Sequence, residues 1–233
     1  MKNTRWLRLL APFAVFLSLS QLGCRGDGLR ERPIRIACVG DSVTFGTNIA
    51  GRRANCWPAR LQALLGKGYR VGNFGVPGAT LRKDGRFPYT SSRKCRKALA
   101  FQPHVVIISL GLNDSDPPGR PHHGKEFIAD YLRLAGAFRE RSRGEVRIFI
   151  CKLTPVFGEH LLAAAGIADA YRRIQEQIER VAETGHFPLI DLHAPLRSRA
   201  DLFPDALHPN VGGARIIART VYEALQREGV ARR

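Results

Sequence analysis

From Ile34 onward the chain alternates short apolar runs with longer amphipathic segments, and this alternation sharply narrows the folds open to it. Short runs rich in β-branched residues read as buried strands. Apolar residues recurring every three or four positions read as helices with one covered face. The spacing predicts strands at 34–39, 69–73, 104–110, 146–152 and 187–191. It predicts helices at 56–66, 92–100, 124–142, 165–183 and 211–228. Strand, helix, strand in regular succession implies an α/β domain of three α/β/α layers, a parallel sheet covered on both faces and joined by right-handed crossovers. About 200 residues are enough for one domain with a sizeable core. No repeat or low-complexity block interrupts 34–233.

The first 24 residues read as an export signal. Lys2, Arg5 and Arg8 precede an apolar segment from Leu9 to Leu19, which ends in Ser20-Gln21-Leu22-Gly23-Cys24. That segment is too short to cross a bilayer as a helix. Leu22-Gly23-Cys24 resembles a bacterial lipoprotein cleavage site, although Gln21 departs from the pattern. The resemblance implies a lipid on Cys24 and a periplasmic or cell-surface location. Cleavage after Ser20 is the alternative and would release a soluble protein. Residues 25–33 are then a polar tether.

Cys38 and Cys151 fall inside apolar strand patterns and read as packing residues. Cys56 and Cys95 lie near helix starts, and in an exported protein a disulfide between them is expected to be open to them. No Cys or His spacing suits a metal, so neither metal nor cofactor is expected. The whole chain carries 37 Lys and Arg against 20 Asp and Glu. Between residues 51 and 100, Asp84 is the one acid among a dense run of Lys and Arg. This reads either as a solvated basic face or as a positive rim that attracts acidic saccharides. Export, and the lack of an aromatic stacking platform, argue against nucleic acid as a partner.

Four short blocks carry chemistry. Ile34 to Gly40 is an apolar run followed at once by Asp41 and Ser42, which places a serine hydroxyl at the carboxyl edge of a strand. Asn73-Phe74-Gly75-Val76-Pro77-Gly78 follows the second strand, and Gly111-Leu112-Asn113-Asp114 follows the third. Asp205-Ala206-Leu207-His208-Pro209-Asn210 supplies an acid three residues before a histidine. Taken together and in this order, Ser42, Gly75, Asn113 and His208 resemble the four blocks of the SGNH hydrolases, the GDSL esterases. The resemblance implies a flavodoxin-like sheet of five strands in the order 2-1-3-4-5. The serine sits in Gly-Asp-Ser-Val-Thr, so the Gly-x-Ser-x-Gly elbow of the α/β-hydrolases is absent.

The residue types suit acyl transfer. A serine hydroxyl needs a base, and an imidazole can take its proton and return it to a leaving alcohol. His208 is the expected base, and Asp205 the residue that orients it. The oxyanion of a tetrahedral intermediate needs donors fixed in advance. The expected donors are the backbone N–H groups of Ser42 and Gly75 and the side-chain amide of Asn113. Asp41 and Asp114 are candidates for contact with substrate, or for holding the loops by accepting backbone hydrogen bonds. Trp57, Phe87 and Tyr89 are candidates for stacking on a sugar ring, or for packing beneath a loop.

The resemblance is closest to small single-domain carbohydrate O-acetylesterases, which implies an acetylated saccharide as substrate. A general arylesterase or lysophospholipase of the same type remains an alternative. So do a non-catalytic, polyanion-binding envelope lipoprotein and a flavodoxin-like binding module. The last is disfavoured because no Gly-rich phosphate-cradling fingerprint occurs.

Overall fold

The computed structural model describes residues 32–115, 124–158 and 167–231, and the export signal lies outside them with most of the tether. Five strands form one parallel sheet: β1 Ile34–Gly40, β2 Tyr69–Gly75, β3 Val105–Ser109, β4 Arg147–Cys151 and β5 Leu189–Ile190. Their order is β2-β1-β3-β4-β5, as the resemblance implied. The central strands are near-continuous apolar runs because a parallel sheet is covered on both faces. All five residues of β3 are buried, as are Ile148, Phe149, Ile150 and Cys151 of β4.

Seven helices are described: α1 Ser42–Phe45, α2 Arg52–Asn55, α3 Trp57–Leu65, α4 Arg93–Ala100, α5 Gly124–Arg141, α6 Ile167–Gly185 and α7 Val211–Arg227. The strand order distributes them. The crossover from β1 to β2 runs one way along the sheet and the later crossovers run the other, so right-handedness puts α3 on one face and α4, α5 and α6 on the opposite face. After β5, α7 returns to pack on α3. Elements expected from the spacing are found within about two residues at most ends, the usual uncertainty of such boundaries. The largest shortfall is β5, a two-residue strand inside the expected 187–191.

The Cys56–Cys95 disulfide that the sequence left open is not formed, and Cys38, Cys56, Cys95 and Cys151 are buried free thiols. The topology explains this. Cys56 leads into α3 and Cys95 lies in α4, so the sheet stands between them.

The strand order reverses between β1 and β3, and there the loops leaving neighbouring strands diverge to opposite faces. Such a switch point opens a crevice at the carboxyl edge of the sheet. Gly40 of β1 is in register with Gly75 of β2 and with Ser109 of β3, so the first three sequence blocks emerge side by side at this edge.

Candidate active site

The serine is presented by a tight strand-to-helix turn. Gly40 is required there: a Cβ would lie 2.1 Å from Thr44 Oγ1 and 2.7 Å from the Ser109 carbonyl oxygen. Asp41 caps α1, its Oδ1 accepting from Val43 N–H at 3.0 Å. Ser42 is the first helical residue, so its own N–H has no acceptor within the helix and faces outward from the N-terminus.

The acid and histidine arrive on a turn between the 3₁₀ segment Ala200–Leu202 and α7. Ala206 takes a left-handed conformation, φ 64°, which folds the turn back on itself. Asp205 Oδ1 then accepts from Leu207 N–H at 3.1 Å and His208 N–H at 2.6 Å. Asp205 Oδ2 lies 2.7 Å from His208 Nδ1, and His208 Nε2 lies 2.9 Å from Ser42 Oγ. With Nδ1–H donated to the carboxylate, Nε2 is left as the acceptor facing the hydroxyl. Partial burial works against the Asp205 charge, but hydrogen bonds from the His208 backbone, the His208 ring and Leu207 outweigh it and hold the carboxyl down at about 2. Behind the turn, Asn210 caps α7 by accepting from Gly212 and Gly213 N–H.

Asn48 completes this arrangement and had no signal in the sequence. Its Nδ2 donates to Asp205 Oδ2 at 2.9 Å, across 157 residues of chain.

The donors expected for an oxyanion are placed unequally. Ser42 N–H, the first N–H of α1, has no acceptor within the helix. One amide hydrogen of Asn113 is donated to Ala79 O at 3.0 Å, which fixes the side chain and leaves its other hydrogen. The Gly75 N–H is donated to Asn73 Oδ1 at 3.0 Å, so in this state it is committed within the loop. Nor is glycine at 75 explained by approach to a substrate. A Cβ there would lie 2.2 Å from Phe45 N and 2.7 Å from Phe45 Cα, so the residue is needed for β2 to pack against the serine-bearing helix.

Asp41 and Asp114 organise loops. Asp114 accepts from Leu81 N–H at 2.8 Å and Arg82 N–H at 3.0 Å, tying the loop after β2 to the end of β3. Burial raises its carboxyl to about 6, against the pull of those two N–H groups. Burial also raises Asp41, to about 7, with Val43 N–H lowering it and the Asp114 charge raising it. Trp57 and Tyr89 are core residues, each fully buried, so the stacking role is corrected to packing. Trp57 points inward because it opens α3 on the face that meets the sheet, and the Tyr89 hydroxyl donates to Phe74 O at 3.0 Å. Phe87, by contrast, is 57% exposed. Among the described residues no cluster of His, Cys, Asp and Glu could hold a metal ion.

A parallel α/β sheet with a serine at its switch point, reached by a histidine and an acid from the turn before α7, defines the class of architecture. Residues 38–216 match the GDSL-like lipase/acylhydrolase family, and the chain belongs to it. An acetylxylan esterase of Xylanibacter ruminicola is 34% identical over 215 residues, covering 84% of this chain and 44% of that protein. The chain thus spans less than half the length of that relative. An acetylxylan esterase of Geobacillus stearothermophilus has the same fold, with a TM-score of 0.65 at 22% identity over 87% of this chain and 98% of that one. The native aryl esterase of M. smegmatis also shares it, with a TM-score of 0.63 at 17% identity over 83% and 98% of the two chains.

Proposed function

We propose that the protein is a serine esterase that removes acetyl groups from carbohydrate, with Ser42 as nucleophile, His208 as general base and acid, and Asp205 as the residue that orients the imidazole. The observation that carries this reading is the unbroken chain Asp205 Oδ2–His208 Nδ1 and His208 Nε2–Ser42 Oγ, at 2.7 and 2.9 Å, lying at the carboxyl edge of the sheet.

That geometry supports the following steps. Ser42 Oγ attacks the ester carbonyl carbon as its proton passes to His208 Nε2. The imidazolium so formed is stabilised by the Asp205 carboxylate, which is ionised well below neutral pH. The carbonyl oxygen becomes an oxyanion within reach of the Ser42 N–H and the free hydrogen of the Asn113 amide. Gly75 N–H joins them if Asn73 Oδ1 gives it up. Losing one such donor typically costs about 3–4 kcal/mol of transition-state stabilisation. Collapse of the intermediate expels the sugar alcohol, which takes the proton from His208. A water, deprotonated by the same imidazole, then releases acetate and restores the serine.

The acetylxylan esterase relative supports carbohydrate acetate as the substrate class. The exposed Phe87 ring, on the loop that follows Gly75 to Gly78, offers a surface for a pyranose face.

Ser42→Ala tested beside the native protein on a chromogenic acetate ester and on acetylated xylo-oligosaccharide is the direct test. Loss of nearly all turnover on both, with the fold retained by circular dichroism, is the expected result. Faster release of octanoate than of acetate by the native protein would overturn the short-chain assignment.

A further inference from the structure

Resting on the carbohydrate-ester reading, we propose that Arg52 and Lys94 form an anion subsite at the far end of the serine-bearing helix that holds the carboxylate of an acidic saccharide. The seat is built on the serine-bearing helix itself. Phe45 is the last residue of α1, one turn beyond Ser42. The Arg52 guanidinium lies over its ring, 4.0 Å from the centroid, with Nη1 3.4 Å from the Phe45 carbonyl oxygen. The same carbonyl accepts from Asn73 Nδ2 at 3.3 Å, and the Asn73 carbonyl accepts from Lys94 Nζ at 3.2 Å. Two cations from different helices therefore converge on Phe45 and Asn73, next to the Gly75 turn.

Among the described residues no carboxylate forms an ion pair with Arg52 or Lys94. Asp84, the one acid between residues 51 and 100, is paired with Arg82. Both Arg52 and Lys94 are half-buried, so their mutual repulsion is screened less than that of fully exposed groups. The Lys94 ammonium is pushed below the usual lysine range, by burial first and then by Lys97 and Arg52. Like charges held together without a partner cost stability, and a bound anion removes that cost. Stacking on Phe45 fixes the plane of the guanidinium while leaving donors of its fork free, the arrangement that suits a carboxylate.

The test compares acetylated methyl glucuronide with its uncharged uronamide, which has the same size and the same ester. Acetate release should favour the acid by about tenfold in kcat/KM at low salt, the scale of one charge-assisted hydrogen bond. The preference should shrink as salt is added. Arg52→Gln and Lys94→Gln should each lower the acid-to-uronamide ratio, and the double variant should bring it near one. Arg180→Gln, an equal loss of charge on the exposed face of α6, should leave the ratio where it was. Calorimetric affinities of Ser42→Ala for the two sugars read the subsite without turnover. Equal affinities, or a preference that survives in the double variant, would overturn the anion subsite. Absence of turnover with the preference in affinity preserved would instead sink the esterase reading and leave the subsite standing.

Discussion

Asn48 Nδ2 and His208 Nδ1 share one acceptor, Asp205 Oδ2, at 2.9 and 2.7 Å. The asparagine therefore fixes the second half of a carboxylate whose first half is already pinned by two backbone N–H groups. Asn48 itself sits at φ 61°, a left-handed conformation that glycine tolerates and alanine does not. Asn48→Gly should lower kcat/KM by roughly 3–10-fold, the value of one ordinary net hydrogen bond at an exposed position, with little change in stability. Asn48→Ala should lose the same activity and in addition about 1–2 kcal/mol of stability from backbone strain. Steady-state kinetics and urea unfolding of the pair separate the two effects. Full activity in both would mean that the backbone bonds alone orient Asp205.

Asp114 joins two of the loops that converge on the serine, because Leu81 and Arg82 donate to it while its neighbour Asn113 donates to Ala79 O. Asp114→Ala would strand two backbone N–H groups at a buried position, at a cost of about 1–3 kcal/mol each. The loop carrying Ala79 would lose its anchor, so kcat should fall along with stability. Asp114→Asn keeps one acceptor oxygen and should recover part of both. Chemical denaturation with acetate-release assays on the two variants checks this, and an unchanged kcat in Asp114→Ala would show that the loop holds without it.

Two buried carboxyls and the exposed Asp205 give opposite pH dependences. Asp41 is raised to about 7, so between the unfolded value near 4 and that pH the folded chain holds more protons than the unfolded one. Stability from this group is therefore present at low pH and lost as pH rises through that window. Asp114, raised to about 6, acts in the same direction. Asp205, held at about 2, acts in the other, contributing stability above about 4 that is lost as pH falls toward 2. Asp41→Asn retains an oxygen for Val43 N–H while removing the buried charge. Its Tm relative to the native protein should thus rise between about pH 5 and pH 8. Thermal melts at both values decide it, and an equal difference at each would show that Asp41 carries no buried charge.

The sheet and the residues of the candidate site were legible because each left a local pattern. Ile34 to Gly40 and Val105 to Ser109 are strands buried on both faces, and nothing but a continuous apolar run satisfies that. Ser42 and Asn113 stand just beyond strands whose ends are marked by glycine, and His208 lies three residues after an acid and directly before a proline. Asn48 left no such mark, since its partner lies 157 residues away and its backbone conformation depends on the closed loop. Trp57 and Tyr89 were misplaced for a related reason. Nearness to a site loop in sequence says nothing of which way a ring faces, and the core claimed both. The Cys56 and Cys95 pairing failed on topology, because the helix starts that carry them lie on opposite faces of the sheet.

Two glycines four chain positions or fewer from each other separate packing from backbone freedom. At Gly75 the backbone is unstrained, but a Cβ would lie 2.2 Å from Phe45 N and 2.8 Å from the Thr44 carbonyl carbon, and backbone atoms cannot swing aside. At Gly78 the converse holds: φ is +74°, and an added Cβ would meet only Phe87 Cδ2, at 3.8 Å. Gly78→Ala should therefore cost about 1–2 kcal/mol, the strain of one left-handed residue. Gly75→Ala should cost more than about 3 kcal/mol, because β2 and the serine-bearing helix must part to admit the methyl group. That separation moves Phe45 and with it Ser42, so residual folded Gly75→Ala should also be nearly inactive, whereas Gly78→Ala should keep most of its turnover. Urea unfolding and acetate release measured on both variants test the contrast, and equal costs would show that the contact between β2 and α1 is looser than the backbone distances indicate.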